Sequence, residues 1–476
     1  MPRLTELLPG LRLAANPDIT GLTADSRKVG PGMLFAALPG TKADGRAFIA
    51  DALAKGCAAV LAPEATNFDT GAVPLVRAAN ARQAFAKAAA AFFTAQPKVM
   101  TAVTGTNGKT STVTFARQLW SRLGHKAASL GTLGVQAEGF PPRPSLTTPD
   151  PVDLHAALAE LAGAGITHAA MEASSHGLDQ YRLDGVRLQA AAFTNLTRDH
   201  LDYHADMQAY GAAKLRLFTE LLAADGTAVV NADSDFATKV LAARPKALTF
   251  GRKGKDLRLV SATPEPHGQV LALEILGRAA TVHLPLAGTF QAENALAALG
   301  LVIACGADPA AAAEALETLE GVPGRLQKVA EAATGAPVYV DYAHTPDALE
   351  TVLKALRPHA SGRLIVVYGC GGDRDPGKRP QMGAIAETLA DIAIVTDDNP
   401  RSEDPALIRR AILAAAPHAV EIGDRAQAIR HAVGLAKSGD VVVLAGKGHE
   451  AGQIIGTQVL PFDDAQEAFN AVRGAA

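Results

Sequence analysis

Strand after strand in this chain ends in charged and glycine-rich residues. The runs "KVMTAVT", "THAAMEA", "LQAAAFTN" and "GTAVVNA" are short and β-rich, and helical stretches separate the first three. A further series, "PVYVDY", "RLIVVYG", "DIAIVTD" and "DVVVLAG", starts near Pro323. Alternation of this kind requires parallel strands joined by helical crossovers, with helices on both faces of each sheet. Such open sheets bind ligands beyond the carboxyl ends of their strands. There the sequence reads "TGTNGKT", "MEASSHG", "TNLTRDHLDYH", "DYAHTPD", "GCGGDRD", "TDDNPR" and "GKGHE". Loops are polar in general, but ordinary ones rarely concentrate Arg, Asp, His and Gly in this way.

With 476 residues the chain is too long for one typical core. Residues 1–95 mix short strand-like pieces, "GMLFAAL" and "AAVLAP", with Ala-rich helical ones. Pro97 then interrupts the helical run "ARQAFAKAAAAFF". The expected fold class is α/β in three domains. These are a smaller N-terminal α/β domain (1–95), a central domain with a P-loop-type, mostly parallel sheet (96–322), and a C-terminal Rossmann-like domain (323–476). After Arg252 a more alternating region, "LRLVSATPEPHGQVLALEIL" and "AATVHLPL", reads as an antiparallel insertion or sheet edge. The Ala-rich "QAENALAALGLVIACG" reads as a helix.

A net charge of −3 gives no reason to expect nucleic acid or an anionic membrane as partner. Any attraction for anionic substrates must be local. No run of about 18 apolar residues is present, so no spanning helix is expected. The start of the chain breaks its apolar stretch with Glu6, Pro9 and Arg12, a poor signal peptide. Cys57, Cys305 and Cys370 are scattered and odd in number, which argues against a disulfide framework and fits a reducing cytoplasm.

"TAVTGTNGKTST", Thr101 to Thr112, is the first segment with specific chemistry. It ends in Gly-Lys-Thr, yet two residues separate its glycines where the usual phosphate loop has four. A strand precedes it. A helix follows, on which Ala116, Leu119, Trp120 and Leu123 share one face. Amides at that helix N-terminus suit anionic oxygens, Lys109 suits the outer phosphates, and the Thr110 hydroxyl suits Mg²⁺. An ordinary strand-to-helix turn is the alternative.

Glu172, His200 and Lys214 each have an ordinary explanation: a solvated carboxylate, a loop histidine, a surface lysine. Glu172 is the natural Mg²⁺ ligand of the three, because that ion prefers hard oxygens. An ammonium at Lys214 cannot bind a metal.

"GTNGKT" resembles the short phosphate loop of the Mur ligase family, which also includes the folylpolyglutamate synthases. "DSRKVGPG", "ADGRAFI", "TTPD", "MEASSHGLDQYR", "DHLDYH", "GGDRDPGKRP", "DNPRSEDP" and "GKGHE" extend the likeness over nearly the whole chain. They follow the order of the branch that adds the third residue of the peptidoglycan stem peptide. The resemblance implies a cytoplasmic, monomeric enzyme that turns a carboxylate into an acyl phosphate with ATP, for an amine to attack. It implies ATP contacts at Gly105, Thr106, Asn107, Gly108, Lys109, Thr110, Ser111, Asn294, Arg325 and Asp341. Mg²⁺ falls to Thr110, Glu172, His200 and Lys214. Lys214, four residues after Tyr210, is implied to carry a CO₂-derived carbamate, which makes it an oxygen ligand. Lys109, Lys214 and His200 are the implied catalytic groups.

A UDP-muramoyl-dipeptide is implied at Ser26, Lys42, Ala43, Thr147, Thr148, Ser174, Gln180 and Arg182. A helix N-cap ahead of "PDPVDLHAAL" is the alternative for the Thr pair. Meso-diaminopimelate is implied at Arg374, Asp398, Asn399, Arg401, Gly446 and Glu450, with Arg401 gripping the far carboxylate. An Arg fork suits a carboxylate because it donates two parallel hydrogen bonds. Two other activities remain open at this point: a folylpolyglutamate synthase, which should lack the first domain, and a P-loop ATPase that couples hydrolysis to a partner.

Overall fold

The computed structural model describes residues 1–10, 15–40, 43–141, 146–265 and 268–474. The chain forms two compact units. One comprises Met1–Arg258, Ile275–Gly277 and Asn294–Ala315; the other comprises Leu259–Glu274, Arg278–Glu293 and Leu316–Ala476. Among the described residues, no helix is long and apolar enough to cross a membrane.

The first unit opens with β1 (Leu22–Thr23), β2 (Leu34–Ala36), β3 (Ala59–Pro63) and β4 (Leu75–Ala78), side by side in that order and all parallel. The helix Ala81–Phe93 follows. It starts where the Asn80 side chain accepts a hydrogen bond from Gln83 N, and it buries Phe85, Ala86, Ala88 and Ala89.

The larger sheet of this unit contains β5 (Val99–Thr104), β6 (Ala127–Gly131), β7 (Gly134–Ala137), β8 (His168–Glu172), β9 (Leu188–Phe193), β10 (Leu222–Asn231) and β11 (Leu248–Gly251). Their spatial order is β11-β10-β9-β5-β8-β6-β7, parallel except where β6 meets β7. All six residues of β5 are buried, as a strand covered on both faces requires. From β5 the chain passes outward to β6, returns to β8, then crosses to β9 on the other side of β5. This reversal opens a crevice at the carboxyl end of β5, where ligands of such sheets sit. The helix Lys109–Arg122 packs behind it, with Ala116, Leu119 and Trp120 buried as their spacing predicts.

β12 (Leu257–Glu265) starts beside β11 through Leu257 and Arg258. β13 (Gly268–Ile275) and β14 (Arg278–Leu284) follow, joined by the two-residue turn Leu276–Gly277. Both turn residues have positive φ, as the favoured hairpin turn requires. The alternating pattern after Arg252 is thus strand, as expected. "QAENALAALGLVIACG" falls in the helix Thr289–Ala304.

The second unit is organised by β15 (Gln327–Glu331), β16 (Pro337–Asp341), β17 (Leu364–Tyr368), β18 (Ile392–Val395), β19 (Val420–Glu421) and β20 (Val441–Ala445). Their order is β15-β16-β20-β17-β18-β19, with only the edge strand β15 antiparallel to its neighbour. A hairpin follows, β21 (Gly452–Ile455) and β22 (Gln458–Pro461). The three sheets with their helices make the expected multi-domain α/β architecture.

One ion pair holds the end of β20. Arg425 and Asp464 are fully buried and share two hydrogen bonds of 2.7 Å, while Arg425 Nη2 donates to Ala445 O at 3.0 Å. Removing one partner of such a pair strands a charge in a dry interior, which costs about 3–5 kcal/mol. Asp464→Ala is therefore expected to lower the unfolding free energy by about that amount, read from the urea midpoint at constant slope.

Candidate active site

The phosphate loop takes its shape from two glycines. Gly105 (φ 152) and Gly108 (φ 87) turn the chain from β5 into the helix Lys109–Arg122. A side chain at Gly105 would overlap Thr194 Oγ1, and one at Gly108 would overlap Asn294 Oδ1. Asn294, expected at the nucleotide, thus lies directly against the loop. Asn107 N donates to Asn195 Oδ1 at 2.9 Å, and the Thr106 and Tyr210 hydroxyls meet at 3.1 Å. The Lys109 amine donates to Gly105 O (3.0 Å) and Thr106 O (2.8 Å). Thr110 and Ser111 are buried in the first helical turn. The result is a rigid helix N-terminus of the kind that receives phosphate.

Lys214 reaches the same loop from the helix Met207–Arg216. Its Nζ donates to Gly105 O at 2.7 Å and lies 4.4 Å from the Tyr210 ring centre, with the residue only 1% exposed. Burial, and then the nearby Lys109 ammonium, hold its amine well below the usual lysine range. His200 belongs to the same cluster. Burial lowers its imidazole, as do the charges of Lys109 and Lys214, against the opposing pull of Asp199. Its backbone sits at φ 55, uncommon for a non-glycine residue. Glu172 ends β8 in register with Val103 of β5, so it emerges beside the phosphate loop. It is 1% exposed, and its carboxylate accepts from Thr132 N at 2.8 Å and Thr132 Oγ1 at 3.4 Å. A buried carboxylate offers the hard oxygens that Mg²⁺ prefers. Among the described residues, no three His, Cys, Asp or Glu side chains form a ready-made metal centre.

Five of the residues expected at the muramoyl-dipeptide form one network around Glu172. The Thr147 hydroxyl meets that of Thr132 at 3.0 Å. The Thr148 hydroxyl donates to Glu172 O at 2.9 Å and accepts from Ser174 N at 3.0 Å. Arg182 Nη1 donates to Thr148 O (2.7 Å) and Nη2 to Gln180 Oε1 (2.8 Å), while Gln180 Nε2 donates to the Tyr203 hydroxyl (3.1 Å). The Thr pair is not a helix cap. Asp150 caps the helix Pro151–Gly163, accepting from Val152 N and Asp153 N. Ser26 lies apart from this network, opening a short 3₁₀ turn whose Ser26 O accepts from Lys55 Nζ at 2.8 Å. Ala43 is exposed, and its carbonyl accepts from Gly40 N. Lys42 lies outside the described residues.

The second unit carries the other expected residues. Asp341 ends β16, and its carboxylate accepts from Leu326 N (2.7 Å) and Ala343 N (2.8 Å). Burial pushes it up to about 6, against the lowering charge of Arg325. Arg325 stacks over the Tyr342 ring at 5.0 Å. In the loops after β17, β18 and β20, the residues expected at diaminopimelate converge. A Cβ at Gly371 would stand 2.8 Å from Arg401 Nη1 and 3.7 Å from Arg374 Cγ, so the two guanidinium-bearing chains flank one glycine. Arg401 Nη1 donates to Gly372 O at 2.8 Å. Asn399 Nδ2 donates to Glu450 Oε2 at 2.9 Å. Asp398 O accepts from Gln453 Nε2 at 2.7 Å.

Several groups in these sites escaped the sequence reading. Thr132 is a single polar residue with no motif around it, whereas Tyr203 lies inside "DHLDYH", where the histidines draw the attention. Arg379, which holds Glu403 through two hydrogen bonds of 2.9 Å, was quoted only as part of "GGDRDPGKRP". The hairpin β21–β22 supports the Arg401 loop, with Arg401 N donating to Ile454 O and Gly456 N to Arg401 O. Lys447 lies within "GKGHE", beside Gly446 and three residues before Glu450.

The Mur ligase family, catalytic domain, matches residues 18–106; the Mur ligase middle domain matches 103–302; the Mur ligase, glutamate ligase domain, matches 324–448. The chain is 59% identical over 471 residues to the UDP-N-acetylmuramoyl-L-alanyl-D-glutamate–2,6-diaminopimelate ligase of Caulobacter vibrioides, covering 97% of each chain. The chain belongs to the Mur ligase family. A solved UDP-N-acetylmuramoyl-L-alanyl-D-glutamate–2,6-diaminopimelate ligase shares its fold at a TM-score of 0.75, 36% identity and 99% coverage of both chains. The MurF ligase of Thermotoga maritima, solved in complex with ADP, shares the fold at a TM-score of 0.62 and 18% identity, covering 95% of this chain and 97% of that one. In this Mur ligase the phosphate loop, Glu172, His200, Lys214 and Asn294 fall within the middle-domain match. Arg325, Asp341, Arg374, Asp398, Asn399, Arg401 and Gly446 fall within the glutamate ligase match, and Glu450 lies just beyond it.

Proposed function

We propose that the protein is an ATP-dependent amide ligase. It joins meso-diaminopimelate to the D-glutamate γ-carboxylate of UDP-N-acetylmuramoyl-L-alanyl-D-glutamate during cytoplasmic synthesis of peptidoglycan precursors, and it works as a monomer. The observation that carries this reading is the convergence at the end of β5. Lys109 and Lys214 both reach the Gly105 carbonyl, His200 lies within their field, and Glu172 emerges from the adjacent strand.

The division into 1–95, 96–322 and 323–476 gives each substrate a domain. The first takes the UDP end through Ser26, Lys42 and Ala43. The second takes ATP on Gly105–Ser111 with Asn294. The third supplies Arg325 and Asp341 to the nucleotide and the loops around Arg401 to the amino acid. The Thr147–Arg182 network next to Glu172 receives the dipeptide. The γ-carboxylate attacks the terminal phosphorus of ATP and ADP leaves. The free amine of diaminopimelate then attacks the acyl phosphate carbonyl, and the tetrahedral intermediate expels phosphate as it loses its extra proton. Lys109 and the helix amides stabilise the charge moving across the phosphates.

Thr110, Glu172, His200 and a carbamylated Lys214 are the residues suited to hold Mg²⁺, which when bound offsets repulsion between carboxylate and phosphates. The fit rests on Glu172, a buried carboxylate that accepts from Thr132, and on Lys214. A lysine pushed toward its neutral amine is in the form that adds CO₂.

Phosphate release is measured with ATP and Mg²⁺, with the UDP-dipeptide and diaminopimelate each present or omitted. Release that requires both co-substrates is expected. Release indifferent to both would mean an ATPase instead.

A further inference from the structure

Lys447 is a charged group of the amino-acid site with no role above. It follows Gly446 (φ 115) at the end of β20 and is fully buried. Its Nζ lies 3.1 Å from Asn399 Oδ1, 3.5 Å from Asp398 Oδ1 and 3.7 Å from Glu450 Oε2. Burying an ammonium is costly unless acceptors are arranged around it. Here three converge, from the loop after β18 and from Lys447's own loop.

The hydrogen bonds have a direction. Asn399 Oδ1 accepts from both Lys447 Nζ and Ile454 N, the latter at 2.9 Å. Two donors on that oxygen fix which end of the amide is which, since only a carbonyl oxygen accepts. Asn399 Nδ2 is thereby turned to Glu450 Oε2. Glu450 is pinned on one oxygen while about a third of its side chain stays accessible. Two carboxylates, Asp398 and Glu450, flank the Lys447 ammonium, which stands between them.

We infer that Lys447 is a positioning residue for the amino-acid substrate: it locks the Asn399 amide, and through it Glu450, in the orientation that receives the distal ammonium of diaminopimelate. This rests on the ligase reading above. Without Lys447 the amide is free to invert, its oxygen then faces the Glu450 carboxylate, and the two carboxylates lose the cation between them.

The test is initial-rate kinetics on the full-length protein, with each of the three substrates varied. Lys447→Met is expected to raise KM for diaminopimelate roughly ten- to hundred-fold, the scale of one charged hydrogen bond. KM for ATP and for the UDP-dipeptide should hold. Because the two residues act in series, Asn399→Ala combined with Lys447→Met should add little to either change alone. Strict additivity, an equal rise in all three KM values, or a loss confined to kcat would overturn the assignment. Should Lys447→Met lose its cooperative thermal transition, Lys447→Gln replaces it, keeping a donor for Asn399 Oδ1. A smaller rise in the same single KM supports the role; no change, or a general loss, refutes it. Wild-type protein that forms no diaminopimelate adduct sinks the ligase reading itself, before any variant is compared.

Discussion

Alanine in place of Lys214 is expected to lower kcat at least about a hundred-fold, the scale seen when a group stabilising transition-state charge is removed. Small carboxylates such as formate or acetate should restore part of the loss. The expectation follows from where Lys214 sits. An amine 1% exposed, 2.7 Å from the carbonyl of Gly105 and beside a second lysine, is a poor place for an ammonium. Adding CO₂ replaces that unwanted cation with an anionic oxygen. A companion variant separates charge from carbamate. Lys214→Arg keeps a cation and cannot take CO₂, so it should be as slow as Lys214→Ala. Near-normal turnover in Lys214→Arg would show that the carbamate is dispensable.

Arg401→Ala is the second large effect. Losing a charged hydrogen-bonded contact to the distal carboxylate should lower kcat/KM for meso-diaminopimelate about ten- to hundred-fold. Lysine has no such carboxylate. Its own poor rate should change little, so the preference for diaminopimelate narrows. If lysine gains in absolute terms, the native guanidinium was also repelling its terminal cation. A preference that does not move would place the carboxylate elsewhere, and Arg374, across Gly371, would be the next residue to replace.

Much of this was legible in the sequence because the chemistry lies in unbroken strings at strand ends. The phosphate loop, "DHLDYH" and "DNPR" each carry their groups within a few residues, and parallel strands deliver those strings to one edge of a sheet. Pairings between distant segments left no such trace. Arg216 and Asp184 form a buried bidentate pair, 2.7 Å on both oxygens, from positions on separate elements with unremarkable neighbours. β6 reads "AASLG", without a β-branched residue, and becomes a strand only because β8 and β7 pair with it. Asp150 outcompeted the Thr pair as a helix cap because its carboxylate reaches two amides at once, which freed Thr148 to tie Glu172 to Ser174. Lys447 was in plain view. What the string did not say was that the side chain points inward, toward Asp398 and Asn399 of a distant loop.

Arg401 holds a left-handed backbone at φ 51, with main-chain bonds to the hairpin, while its guanidinium donates to Gly372 O. The main-chain bonds at this position do not depend on which side chain it carries. Glycine and asparagine tolerate that conformation readily, unbranched side chains at modest cost, and β-branched ones poorly. Any exchange here that alters which amino acid is accepted is therefore drawn from a restricted set of side chains.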